Sequence, residues 1–451
     1  MSDISKSRNE VTNDYPSSGY AWYVVVLLTL GYILSFLDRI IINLLVEPIK
    51  ADFVLTDTQI GLLMGVAFSI FYATMGIPLG WLADNMKRKT LVAAGMFIWS
   101  AATCLSGYAK SFAGLFAARI GVGAGEATLS PCAISLISDM FPEEKRARAI
   151  ALYSSALSIA SATAFYIGGK ILAWANSTDT SGMFLIDGLK PWQIVFVVVG
   201  LPGIILGIFV LFVREPKRQV EREKDESAIS FLKTLNYYKN NLGSFLGISL
   251  LVGVMTTIAY SQFFSTSLFI RTWGWEASDY AFRNSIGLLL FGPPSVMIAG
   301  WLVDKLHKEG VEDAAWKVFK IGFIIMIPPN ALFPLMPDPW IALFVSFTGL
   351  IGIATVTAAG VPAILKVIPG KIRAQSIAIY YMIISMCGLL IGPTSVGFLA
   401  DSFGNLQYAI SFGNLQYAMA AVPATFGIIG YCFLPMINRI YLNQIKKEIT
   451  I

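Results

Sequence analysis

Histidine is almost missing from this sequence: His307 stands alone among 451 residues, in a charged stretch. A histidine-based zinc site or a Ser-His-Asp triad therefore has almost nothing to work with. Only four cysteines occur, Cys104, Cys132, Cys387 and Cys432. All fall in apolar runs and read as small hydrophobes rather than disulfides or metal ligands. No Walker-A pattern is present, so ATP does not drive the chain directly. The first nineteen residues are polar and lack the apolar stretch of a signal peptide. Charge is scarce as well: Asp, Glu, Lys and Arg make up 14% of the chain and apolar residues 56%. Soluble domains carry about 25% and about 45–50%. These shortages exclude a soluble enzyme, a nucleic-acid module and a secreted disulfide scaffold. They leave a polytopic membrane protein.

What is present is a series of long apolar runs. A helix needs roughly 20 apolar residues to cross the bilayer core. Twelve runs meet that need, near 21–46, 58–83, 90–109, 112–138, 149–170, 191–213, 241–270, 284–303, 318–337, 339–365, 374–400 and 415–438. The distribution of Lys and Arg gives the orientation. Twenty-five lie on the tails and even-numbered connections, six on the other side, and two, Arg39 and Arg119, within the spans. Both termini are expected in the cytoplasm of a multi-pass protein, in the inner membrane if the cell is bacterial.

The charged stretch Arg214 to Glu226 divides the chain into two halves of six spans. The expected organisation is a tail at 1–20, a bundle at 21–213, a linker at 214–240, and a second bundle with a short tail at 241–451. Within the linker, 229–238 could lie as a helix on the membrane surface or serve only as a solvated tie.

The halves repeat. Gly80-Trp-Leu-x-Asp84 returns as Gly300-Trp-Leu-x-Asp304, 220 positions later. Pro142, Arg146-Ala-x-Ala-Ile-Ala and Tyr153 return as Pro369, Arg373-Ala-x-Ser-Ile-Ala and Tyr380, 227 positions later. A parallel 6+6 repeat places a binding site near the midplane, between two bundles that rock about it. A tighter repeat, Ser402 to Ala409 copied as Ser411 to Ala418, reads as a tandem duplication in a tolerant loop.

Four ionisable residues fall inside the spans: Asp38, Arg39, Arg119 and Glu126. Each costs about 2.5–3.5 kcal/mol at a helix centre, so they must pair or face a watery cavity. Arg119 and Glu126 are two helical turns apart on one face, with Gly121, Gly123 and Gly125 between them to admit a neighbouring helix. Asp38 and Arg39 are adjacent, about 100° apart on their helix. One alternative is a neutral cluster that only locks the bundle. The functional reading has Asp38 and Glu126 exchange protons beside Arg119 and Arg39, since a neighbouring guanidinium opposes the protonation that burial favours. A movement that changes the separation then takes up or releases a proton. Candidate ligand contacts are Arg39, Asn43, Arg119 and Tyr153, with Tyr260, Gln262, Phe263 and Tyr380 on the facing wall. Any one of these aromatics could equally be ordinary packing. Two guanidiniums opposite an apolar wall suit a small amphipathic anion.

These residues carry a resemblance. Gly80-Trp-Leu-Ala-Asp84-Asn-Met-Lys-Arg88-Lys89 resembles the loop 2–3 signature of the major facilitator superfamily, with Lys87 where glycine is usual. Arg119-x-x-x-Gly123-x-Gly125 resembles its fourth-span motif. Phe36-Leu-Asp38-Arg39, Glu47-Pro-Ile-Lys-Ala-Asp52, Leu55-Thr-Asp-Thr-Gln-Ile-Gly61 and Arg119 to Glu126 look like the spinster family, whose animal members move sphingosine-1-phosphate and lysophospholipids. The resemblance implies an all-α fold of two six-helix bundles and no cofactor beyond a proton gradient. It implies Asp38 and Glu126 as the proton-coupling pair with Arg119 as partner. It also implies a conformational latch at the cytoplasmic ends, around Gly80, Asp84, Arg88, Arg146 and Asp304. Gly388-x-x-x-Gly392-Pro393 resembles an antiporter motif but lies in span eleven rather than five, so it gives no direction of transport.

The expectation is thus a proton-coupled secondary transporter that works by alternating access and acts as a monomer. Lysophospholipid or sphingoid phosphate is the leading substrate class. A soluble organic anion or a hydrophobic drug is the alternative within transport, and a non-transporting receptor or scaffold the alternative outside it. No nucleophile–base–orienter set can be assembled, which argues against an enzyme.

Overall fold

The computed structural model describes residues 15–216, 224–368, 373–404 and 414–449. These residues form helices throughout, with no strand among them. Eleven helices are long and apolar enough to cross a membrane, and they coincide with eleven of the expected spans. The remaining one, 149–170, falls in Glu143–Ser177, a continuous helix of 35 residues. At 1.5 Å per residue it is about 50 Å long, more than enough for the apolar core.

Local chemistry sets several helix starts. Ser111 accepts the Gly114 N–H at the head of span four. Asp338 accepts the N–H groups of Trp340 and Ile341 at the head of span ten, with Pro339 in the first turn. Side-chain oxygens at these positions satisfy donors that the helix leaves without partners. Segment 229–238 is helical, though not as a separate helix of its own. It runs without a break into span seven as part of Lys224–Ser261.

Six described spans change their winding on the way through, span nine at its end in the 3-10 turn Phe333–Leu335. Span one passes from Ser18–Ile40 into a tight 3-10 turn, Ile41–Leu44. Span seven does the same at Gln262–Phe264. The two turns lie about 220 positions apart, the same offset as the sequence repeat. Span two breaks at Gly65, span four after Glu126, and span eleven at a π-helical turn, Met386–Ile391. Interrupted helices are tolerated at membrane depth where backbone groups line a cavity or are covered by protein.

The packing obeys the same symmetry. Span one packs on five, two on four, and three on four and six. In the second half, seven packs on eleven, eight on ten, and nine on ten and twelve. The halves meet along two seams, five against eight and two against eleven. Each seam is the counterpart of the other under the repeat.

Glycines in span four allow its close approaches. A Cβ added at Gly125 would stand 2.6 Å from the Trp99 backbone nitrogen of span three. One added at Gly123 would collide with the Phe68 backbone of span two. Span four is therefore held against both neighbours, and its charged residues are fixed between them. Gly125→Val should lower the melting temperature of the detergent-solubilised protein, since overpacking a tight interior costs about 1–3 kcal/mol. Gly300→Ala, where an added Cβ meets nothing within 4 Å, should leave the melting temperature unchanged; equal shifts would contradict this packing.

Candidate functional site: a buried charge cluster between aromatic rings

Spans one and four bring Asp38, Arg39, Arg119 and Glu126 together. All four are buried, with Arg119 fully so. Arg39 Nη2 donates to Glu126 Oε2 at 2.6 Å. Arg119 Nη1 donates to the backbone carbonyl oxygen of Asp38 at 2.9 Å. Arg39 is the direct partner of the Glu126 carboxylate, and Arg119 makes its hydrogen bond to the main chain of Asp38. The reason is length. Seven positions along a helix separate Arg119 and Glu126 by about 10 Å, so neither readily holds the other. The side chain of Arg39 reaches across instead.

The cluster is not saturated. Asp38 Oδ1, Arg39 Nε, Arg119 Nε and Nη2, Glu126 Oε1 and Asn43 Oδ1 are buried without a hydrogen-bond partner. Buried polar atoms rarely stay so without a reason, and a site that exchanges protons or ligand is one such reason.

Aromatic rings surround the Arg39 guanidinium. Its central carbon lies 4.7 Å from the ring centroid of Phe36, 4.4 Å from Phe68 and 4.8 Å from Tyr72. Tyr32 continues the box, edge-on to Phe36 at 5.1 Å and stacked on Tyr153 at 5.0 Å. Each desolvated cation–π contact adds about 1–2 kcal/mol, so the rings partly replace the water that Arg39 has lost. Sequence reasoning passed over Tyr32, Phe36, Phe68 and Tyr72. Their signal was spacing: Tyr32, Phe36 and Arg39 share one face of span one, and Phe68 and Tyr72 one face of span two.

The facing wall is assembled only in part. Tyr260 and Phe263 of span seven meet edge-to-face at 5.0 Å and pack against the apolar core of the first bundle. Tyr153 joins them through its stack on Tyr32, and its hydroxyl contacts Ser130 Oγ at 3.4 Å. Gln262 is turned to its own chain, where Oε1 accepts from Ser265 Oγ at 3.3 Å. Tyr380 is buried in the core of the second bundle, away from the charges.

The expected latch residues lie at the other level of the molecule. Arg88 is buried and donates to Ser135 Oγ at 2.9 Å, to Glu215 Oε1 at 3.0 Å and to Asp139. All these partners belong to the first bundle or its end. Arg146 is half-buried, with Nε unpartnered. Asp304 is exposed in a shallow hollow beside Trp301 and Lys305. The side chains of Gly80 and Asp84 lie outside the described residues. Hydrogen bonds and ion pairs of Arg271 and Asp401 join the two bundles at the opposite end.

Two pseudo-symmetric helical bundles around a buried charge cluster define a membrane transporter, not an enzyme. The chain belongs to the Major Facilitator Superfamily, whose sequence profile matches residues 28–311. It is similar to an MFS-type efflux pump of Mycolicibacterium smegmatis, 28% identical over 387 residues and 85% of each chain. It is also similar to a probable L-galactonate transporter of Escherichia coli, 28% identical over 325 residues, 69% of this chain and 67% of that one. Among solved structures, a bacterial homolog of the human lysosomal transporter spinster, inward-facing and unoccupied, superimposes with a TM-score of 0.80. That match has 26% identity and covers 96% of this chain and 98% of the other. The protein is a spinster-like, multi-pass integral membrane transporter.

Removing one partner of a buried ion pair strands the other and costs about 3–5 kcal/mol. Arg39→Ala should therefore lower the melting temperature sharply in the wild-type background and much less in Glu126→Gln. Equal losses in the two backgrounds would show that the pair is not coupled.

Proposed function

We propose that this chain is a proton-coupled secondary transporter that works by alternating access, with both termini in the cytoplasm and a small amphipathic anion as cargo. Lysophospholipid and sphingoid phosphate are the leading substrate class. The observation that carries the reading is the buried Arg39–Glu126 pair at 2.6 Å, boxed by aromatic rings. Glu126 occupies the guanidinium that an anionic headgroup would need. A proton on Glu126 cancels its charge and frees Arg39 for the ligand, so proton and anion occupancy are linked. Asp38 and Arg119, side by side with this pair, supply a second carboxylate and a second cation. The rings of Tyr260 and Phe263 offer apolar surface to the rest of the ligand. A proton crossing the membrane supplies about 2.3 kcal/mol per 100 mV and about 1.4 kcal/mol per pH unit. That is enough to bias an equilibrium between two arrangements of the bundles. The chain works as a monomer and needs no cofactor beyond the proton gradient.

A second reading keeps the mechanism and changes the cargo. The similarity to the probable L-galactonate transporter spans 69% of this chain, which favours a water-soluble sugar acid.

Both readings meet the same experiment. Purified protein should be stabilised by its ligand class in a thermal-shift screen of lysolipids, sphingoid phosphates and sugar acids, because a ligand that binds only the folded state raises its stability. In liposomes, flux of the ligand so found should accelerate when a pH gradient is imposed. Glu126→Gln should abolish that acceleration and retain binding. Flux indifferent to both pH and voltage would mean a uniporter, and binding without flux would mean a receptor or scaffold.

A further inference from the structure

The end of the molecule opposite the termini is closed by contacts that the buried cluster does not use. Arg271, near the end of span seven, reaches into the first bundle. Its Nη1 and Nη2 donate to Asp57 Oδ2 and Oδ1 at 2.9 and 2.8 Å, and its Nε donates to Glu47 Oε1 at 2.9 Å. Asp401, at the end of span eleven, reaches the same place differently. Its Oδ1 accepts the backbone N–H of Asp57 at 3.0 Å, and its Oδ2 accepts the backbone N–H and the hydroxyl of Thr58 at 2.8 and 2.6 Å. Asp57 and Thr58 open the helix of span two. Their N–H groups have no partner within that helix, and they sit at its positive end. The second bundle thus holds one point of the first twice, by side chain and by main chain. The backbones also touch there: a Cβ added at Gly61 would stand 2.6 Å from the Pro393 carbonyl oxygen.

We propose that Arg271 and Asp401 form a releasable gate, a two-point clamp of the second bundle on the head of span two that closes the pathway opposite the termini. The proposal rests on the alternating-access reading and deepens it. What distinguishes this clamp from an ordinary structural tie is that Asp57, the residue it grips by two hydrogen bonds, keeps a cation of its own once the clamp is gone. Lys50 Nζ holds Asp57 Oδ1 at 2.6 Å. Thr56 and Gln59 cap the same helix start, with the Thr56 hydroxyl accepting from Gln59 N at 3.2 Å and Gln59 Oε1 accepting from Thr56 N at 2.9 Å. On release Asp57 therefore keeps Lys50 and the Thr56–Gln59 cap stays in place, while Glu47, Asp401 and the N–H groups of Asp57 and Thr58 exchange their partners for water. Arg271 and Glu47 are also near water, with side chains 26% and 27% exposed; Asp57, at 9%, is more enclosed, and Arg39 and Glu126 are at 6% and 0%. Charged groups that water can reach exchange protein for solvent at small net cost. The buried pair cannot.

The test is a distance measurement between spin labels at Lys110→Cys in the first bundle and Pro337→Cys in the second, in protein lacking Cys104, Cys132, Cys387 and Cys432. Both label sites are exposed in turns at the gated end. Asp401→Asn keeps the size of the side chain but offers one acceptor oxygen in place of two. Combined with Arg271→Ala, it should raise the population at the longer distance about tenfold, equivalent to about 1.4 kcal/mol. Arg283→Ala is the control, because Arg283 lies over Trp275 and Trp340 of its own bundle at 4.3 and 5.0 Å, and it should leave the distribution unchanged. Variants that stay folded, judged by melting temperature, and keep the wild-type distribution would overturn the gate. If the wild type shows the longer distance and the variants do not enrich it, the gate alone falls. If no protein shows it in acidic or alkaline buffer, the rocking motion falls too, and the gate with it.

Discussion

A guanidinium and a carboxylate cannot remain in the middle of a helical bundle unless they meet, because each would cost several kcal/mol alone. That constraint organises the first half of this protein. Arg39 and Glu126 are 2.6 Å apart and almost fully enclosed. To bring them there, span four must lie close to its neighbours, which its glycines allow. Rings from spans one and two must then take the place of lost water around Arg39. The pair is thus a packing requirement first. Under the proposed function it also serves as a coupling device, since the surrounding atoms are left incompletely satisfied.

The molecule contains two kinds of electrostatic tie, and their burial separates their roles. The pair at the centre is sealed from solvent, so changing its charge state changes the energy of the whole arrangement. The clamp at the end, Arg271 and Asp401 on the head of span two, is partly hydrated and backed by local partners in the first bundle. In the proposed gate it opens more readily than the sealed pair at the centre. A transporter needs both: a centre that responds to occupancy, and an end that yields when the centre does. The seams along which the proposed motion would run, five against eight and two against eleven, are related by the same repeat that the sequence displays.

Much of this was readable from the residues. Long apolar runs and the 220-residue echo of Gly80-Trp-Leu-x-Asp84 announce two bundles, and four ionisable residues inside the first bundle single out its centre. The pairing within that centre was not readable. Adjacent residues such as Asp38 and Arg39 point about 100° apart, and only the tilt and rotation of span one decide which of them meets span four. Which wall residues face the centre was not readable either: Tyr260 and Phe263 pack against the first core, Tyr380 within the second. The gate escaped notice for a related reason. Arg271 and Asp401 are ordinary charges at span ends, and their partners lie more than two hundred positions away along the chain.

The central claim is that the proton on Glu126 and the arrangement of the two bundles are one equilibrium. Infrared titration reads the first directly, through the carbonyl stretch of a protonated carboxylic acid, and can be run alongside the label distance at the gated end. The account predicts a carboxylic acid band that grows as pH falls, disappears in Glu126→Gln, and rises in step with a change in the distance distribution. A band unaffected by Glu126→Gln, or a distance distribution that ignores the band, would contradict it.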